Sequence, residues 1–276
     1  MKPAPFDYAR ASDAAEAVAL LAEAGEGAKL LAGGQSLGPM LNLRLARPTL
    51  LVDIRRAADL LAIEATDDAV RYGAGTPHAA FEDARVPDAT PGWLSAIARG
   101  IAYRAVRNRG TLGGSLAHAD PGADWPSALL ALGATVEILG PAGARRAPLA
   151  AIQSGPFAVD LAPGEVLTGV SLPRRSADAR WGYWKFCRKT GEFAKAIGAV
   201  LRDPDRGETR AVIGAIEDAP VLIEGAAADA LFDDPRAAEA LVARHAPALS
   251  PAGQRLHAEA LARAARIAAA PREAAA

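Results

Sequence analysis

Apolar positions along the chain switch between helical and strand spacing, and the switches divide it into residues 1–54, 55–173 and 179–276. In the first stretch Asp13 and Glu16 form a capping-box pattern ahead of the stripe Ala17, Val18, Leu20 and Leu21, which Gly25 ends. Residues 29–31 read as a short strand and residues 37–45 as a short helix with Pro39 near its start. Residues 49–54 then read as a buried strand. In the second stretch residues 60–64 and 70–73 flank Asp67-Asp68 as a hairpin. Thr76 is placed to cap a helix with Pro77 at its first position, running to about Asp83. Pro91 opens another helix through Ala96, Ile97 and Ile101, and residues 123–132 are helical. Residues 135–139 and 145–148 form a hairpin around Pro141-Ala142-Gly143, and residues 166–172 make a strand that Pro173 stops.

After a polar link at residues 174–178 the order becomes strands and then helices. Residues 181–188, 196–202 and 209–216 have strand length and spacing, and residues 225–231, 235–245 and 252–269 are helical. That order predicts an α+β domain with a three-stranded antiparallel sheet. No repeat of fixed period occurs, and the tail after Pro271 is expected to fray.

Composition narrows the function classes. A formal net charge of −1 gives no electrostatic attraction to nucleic acid or an acidic substrate. The single cysteine, Cys187, cannot supply an iron–sulfur cluster, a cysteine zinc site or an internal disulfide, and its sequence surroundings read as a small, buried, inert residue. A reducing cytoplasm is the expected location, with no apolar leader at the N-terminus and no run approaching the roughly 20 apolar residues of a membrane span. Aromatics are few, so Trp93, Trp125, Trp181 and Trp184 are expected to anchor packing. His78, His118, His245 and His257 lack metal-ligand spacing, and His245 and His257 are expected on solvated helix faces.

The candidate chemistry lies in two small-residue turns roughly eighty positions apart. The first is Ala32-Gly33-Gly34-Gln35-Ser36 and the second Thr111-Leu112-Gly113-Gly114-Ser115. Paired glycines let a ligand approach the backbone and permit positive φ, and Thr111 and Ser115 add hydroxyls, so a dinucleotide pyrophosphate held from both sides suits the pattern. Neither turn fits a Rossmann fingerprint or a Walker loop. Downstream, His118, Asp120 and Asp124 are further candidates for the ligand: His118 lies either near it or against a carbonyl, Asp120 either contacts it or only initiates a turn before its proline, and Asp124 either caps the next helix or accepts from a ribose or adenine group. Arg104, Arg107 and Arg109 either offset phosphate charge or form a solvated helix end.

These residues carry a resemblance. The stretch AGGQSLGPMLNLRLARP with LVDI, followed by RNRGTLGGSLAHADPGAD, resembles the two flavin motifs of the FAD-binding medium subunits of molybdenum-containing hydroxylases, the group of aerobic carbon monoxide dehydrogenase and xanthine dehydrogenase. The resemblance is clear from Phe6 to about Val200 and looser beyond. It implies a two-subdomain FAD-binding module of the PCMH type, with Ala32 through Leu37 and Thr111 through Ser115 on the cofactor and Asp124 contacting it. Lys185, in a segment similar to the family's K-x-x-R-x-x-D-F-A, would approach FAD unless it is a plain strand lysine. Here Glu192 replaces the usual Asp and one extra residue precedes it. Phe193 would pack near the isoalloxazine, Leu167 would contact the adenine end through its backbone, and Ile101 replaces an aromatic that xanthine dehydrogenases place near the flavin. The implied function is electron transfer through FAD. Partners would be a large molybdopterin subunit and a small [2Fe–2S] subunit, as a dimer of heterotrimers. The substrate leans towards N-heteroaromatic compounds. A stand-alone FAD oxidase, or a non-catalytic nucleotide-binding module, are the other readings of the same residues.

Overall fold

The computed structural model describes residues 2–270, and the tail expected to fray lies outside them. Three larger sheets organise the described residues, beside a two-stranded pair of Gln153–Gly155 and Ala158–Val159. The first is parallel, with Leu50–Asp53 between Asp7–Arg10 and Ala28–Leu31. Helix Ala14–Ala24 packs on it, capped by Asp13, whose carboxylate accepts from the Glu16 amide, while Glu16 reaches back to the Ser12 amide. The strand Asp7–Arg10 is not in the sequence reading because none of its side chains is buried. Polar bonds fix it instead: the Tyr8 hydroxyl donates to buried Asp53, which Arg55 also holds, at 2.6 Å. The helix expected over residues 37–45 stops earlier, as Leu37–Asn42, and Arg44 then takes a positive φ of 58°.

The second sheet is antiparallel, in the order Ile63–Ala65, Ala69–Gly73, Val166–Pro173, Thr135–Gly140, Gly143–Pro148. Strand Thr135–Gly140 buries alternate residues, as period-two spacing requires. Its core includes an aromatic file of Tyr72, Phe81 and Trp125, with neighbouring ring centroids 5.1 and 5.2 Å apart. Two helix starts differ from expectation. Thr76 does not cap, because its hydroxyl donates to Gly73 O, so Pro77 is the N-cap of His78–Glu82. Gly92, at φ 82°, precedes helix Trp93–Gly100.

The C-terminal sheet is an antiparallel meander of Arg180–Phe186, Ala196–Asp203, Glu208–Gly214 and Val221–Glu224. It has four strands where the sequence reading has three; the added strand is a short edge segment just before helix Ala226–Asp233. Helix Pro251–Ala269 lies on this sheet so closely that a Cβ on Gly198 would fall 2.5 Å from Ala260 O. His257, expected on a solvated face, is buried there, between Gly253 O and Ala215 O. Trp93 and Trp125 are fully buried, and Trp93 stacks on half-buried Trp181 at 5.2 Å, joining the second sheet's helices to the C-terminal meander. Cys187 lies just past its strand and is half-buried, not enclosed.

Candidate functional site

A cleft of about 1240 Å³ opens between the first sheet and helix Leu112–His118. Both glycine turns line it, and they touch: a Cβ on Gly33 would sit 2.2 Å from Arg109 O. Two glycines are therefore needed for chain-to-chain approach, since a Cβ on Gly113 would meet the Ala74 side chain at 2.5 Å. Of the four turn glycines Gly34 alone has a positive φ, 70°.

The turns differ in what their amides do. Among the described residues, the amides of Gly33, Gly34, Gln35 and Ser36 donate no hydrogen bond, and all four residues face the cleft. The second turn is the first turn of a helix. Thr111 is its N-cap, accepting from the Gly114 amide at 3.1 Å. Leu112 N donates to Thr76 O, Gly113 N to Ala74 O and Ser115 N to Thr111 O. Thr111 and Ser115 still line the cleft.

Leu37, Ile101, His118, Asp120, Asp124, Leu167 and Phe193 join Ala32 and the turn residues in the lining. Phe193 is 58% exposed at the rim. Leu112 points into the core, 1% exposed, and does not line the cleft. His118 makes no carbonyl bond among the described residues; its ring packs on Phe157 at 5.2 Å. Asp120 accepts from the Gly122 amide, forming a local turn.

Asp124 is buried at the first position of helix Asp124–Ala131, with Ala123 as the N-cap, so it does not cap that helix. Its carboxylate accepts from Lys185 Nζ at 2.7 and 3.0 Å and from the Tyr183 hydroxyl at 2.8 Å. Lys185 also donates to Gly100 O at 2.9 Å, so its three protons are engaged and it does not line the cleft. Tyr183, not among the expected residues, stays a donor: burial, and then the Asp124 charge, push its phenol well above the ordinary range. Its strand spacing marks it as one of several alternating residues, and nothing local singles it out.

The arginine cluster does not face the cleft. Arg104 pairs with Asp83 and Glu82, and Arg107 with Glu82 at 2.7 Å and the carbonyls of Ile101 and Ala102. Arg109 lines a separate small hollow behind Gly33. Lys29 is the one lysine or arginine in the cleft lining among the described residues. An anion held here rests on backbone N–H dipoles more than on paired cations.

Comparison with known proteins agrees with this geometry. Residues 4–175 match the family described as the FAD binding domain in molybdopterin dehydrogenase. The 6-hydroxypseudooxynicotine dehydrogenase complex subunit alpha of Paenarthrobacter nicotinovorans is 41% identical over 194 residues, 70% of this chain and 66% of that protein. Carbon monoxide dehydrogenase from Hydrogenophaga pseudoflava superposes with a TM-score of 0.88 at 34% identity, covering 97% of this chain and 98% of that one. Quinoline 2-oxidoreductase from Pseudomonas putida 86 does so with a TM-score of 0.84 at 31% identity, covering 98% of this chain and 100% of that one. The chain belongs to the family of FAD-binding medium subunits of molybdopterin dehydrogenases.

Proposed function

We propose that this chain is the flavin subunit of a heterotrimeric molybdenum hydroxylase, holding FAD across the cleft. The observation that carries this reading is the run of four unpaired amides at residues 33–36, facing the Thr111 turn across a cleft of about 1240 Å³. A pyrophosphate matches such a nest, because its oxygens accept from several N–H groups at once. When bound, FAD would take electrons singly from a partner's [2Fe–2S] centres and pass them in pairs to an external acceptor.

The chain's own residues bind and orient. Gly33 through Ser36 would hold one side of the pyrophosphate, and the Thr111 and Ser115 hydroxyls the other. Lys185 and Tyr183 fix the Asp124 carboxylate at the wall, where it can accept from the ligand. Phe193 and Ile101 would pack against the isoalloxazine, and Leu167 would line the adenine end. A large molybdopterin subunit and a small iron–sulfur subunit complete the assembly, as a dimer of heterotrimers in the cytoplasm. Substrate turns over on the large partner. An N-heteroaromatic or similar small molecule fits the nicotine-derivative and quinoline enzymes among the relatives. The divisions at residues 54, 173 and 179 mark two FAD-binding subdomains and a C-terminal domain in this reading.

The test is to purify the full chain, load it with FAD and compare it with Ser115→Phe, whose ring would occupy the cleft from a position where the serine hydroxyl has no hydrogen-bond partner among the described residues. We expect near-stoichiometric FAD absorption in the parent and a background level in the variant, with similar thermal unfolding of the two apo proteins. Acid should release the flavin, since neither turn offers an attachment side chain. Bleaching of the bound flavin by a pyridine or quinoline with no other subunit present would instead make the chain a stand-alone oxidase.

A further inference from the structure

His78 lines the cleft at 6% exposure and has no role in the assignments above. Backbone pairing sets its place. His78 N donates to Gly110 O and Leu112 N to Thr76 O, each at 2.9 Å, bridging Pro77 to Thr111. The imidazole therefore lies beside the second glycine turn.

Its two nitrogens have different surroundings. Nδ1 is 2.9 Å from Trp125 Nε1. An indole N–H only donates, so Nδ1 must accept and carries no proton. In the neutral ring the proton is then on Nε2. Burial first, and Arg107 second, pull this histidine down to about 4, so the ring is neutral near pH 7. Nε2 faces Gly110, where a Cβ would come within 2.8 Å, and it has no hydrogen-bond partner among the described residues. Unlike the enclosed unpaired polar atoms of the chain, Nε2 is not sealed in the interior, so at the lining of the cleft its N–H is open to an acceptor from outside the chain. Gly110, next to Thr111, has both Nε2 and Val106 O beside it, and Arg107, adjacent to Val106, donates to the carbonyls of Ile101 and Ala102; Thr111, Val106, Ala102 and Ile101 all line the cleft. On the reading of the cleft as an FAD site, the interval from Thr111 to Ile101 separates the pyrophosphate from the isoalloxazine. The part of FAD between them is the ribityl chain, whose hydroxyl oxygens can accept.

We infer that His78, held by Trp125 with its proton on Nε2, donates a hydrogen bond to a hydroxyl oxygen of the ribityl chain of bound FAD. This rests on the FAD reading and adds a positioning contact to it. The two amide substitutions separate the ring's nitrogens. An Asn amide reaches roughly where Nδ1 lies and can keep the Trp125 bond, but not where Nε2 lies; a Gln amide reaches roughly where Nε2 lies.

The experiment titrates FAD and ADP into the full-length apo chain, by flavin fluorescence quenching and calorimetry respectively, alongside thermal unfolding. His78→Asn should bind FAD about 10-fold more weakly, as loss of one ligand hydrogen bond gives. Its ADP affinity should be unchanged, because ADP lacks the ribityl segment. His78→Gln should stay within about 3-fold of the parent for FAD while unfolding at a lower temperature than His78→Asn, since it weakens the Trp125 bond. That crossed ranking cannot arise from packing alone. Equal FAD affinity in parent and His78→Asn overturns the inference while leaving the FAD site intact. Equal losses in the Asn and Gln variants, or a matching loss for ADP, also overturn it. A parent chain that binds no FAD overturns the site and the inference together.

Discussion

The two glycine turns have similar sequences and opposite hydrogen-bond states. At residues 33–36 four amides donate to nothing among the described residues; at residues 112–115 every amide has a protein acceptor. The first turn follows a strand and is held open by its contact with Arg109 O and by the positive φ of Gly34. The second is wound into a helix and tied to residues 74–76. A Gly-Gly pair thus marks two different devices: one presents backbone amides to a ligand, and the other, its amides already paired, braces the wall opposite and has only the Thr111 and Ser115 hydroxyls to offer. The buried His78–Trp125 pair lies beside the second turn, while the first turn adjoins the Asp53–Arg55 pair at the end of the first sheet.

The strongest way to break this comparison is to separate the turns. Gly33→Val should place side-chain atoms on the Arg109 carbonyl, an overpacking against backbone costing about 3 kcal/mol or more. We expect a large fall in thermal midpoint and FAD content near zero. Retained flavin in a stably folded Gly33→Val chain would show that the turns need not touch.

Between about pH 6.5 and pH 4, acid should act on the braced side through His78. The His78 folded-state value, about 4, lies below its unfolded value of 6.5, so the unfolded chain binds the proton more readily as pH falls between them. His78 therefore takes nothing from stability above about pH 6.5 and lowers it progressively towards pH 4, by about 3 kcal/mol in all. Chemical unfolding across that window measures the slope, and His78→Asn, which cannot titrate, should give a shallower one. An identical slope in both chains would remove His78 as the titrating brace.

The smallest expected effect comes from the helix cap. Thr111→Ala leaves the Gly114 amide unpaired and should cost about 1 kcal/mol of stability, with Thr111→Ser restoring most of it. If the second turn chiefly braces, FAD affinity should fall by only a few-fold. A loss of FAD affinity far exceeding the stability change would place Thr111 among the principal ligand contacts and narrow the difference between the turns.

Much of the fold was legible because it depends on local pattern. Capping at Asp13, the alternation in Thr135–Gly140, and the hairpin that follows each follow from neighbouring residues. The strand Asp7–Arg10 was not legible, since it buries no side chain and is held by Tyr8 and Arg55 on Asp53, more than forty positions from Tyr8. The residues of both turns could be read as a site from their glycines and hydroxyls. Which glycine needs a positive φ, and which only needs the missing Cβ, could not.

By itself the sequence determined the order of elements, the two small-residue turns and the family they resemble, because hydrophobic period and glycine placement act over a few residues. The tertiary structure decided which amides remain unpaired, that Lys185 and Tyr183 hold Asp124 from another sheet, and that Arg104 and Arg107 are committed to Glu82 and Asp83. It also set the proton on His78 through Trp125, 47 positions away. The physical reason is common to all of these. A hydrogen-bonding group's availability depends on what folding brings to its other side, and that partner is seldom near it in the chain.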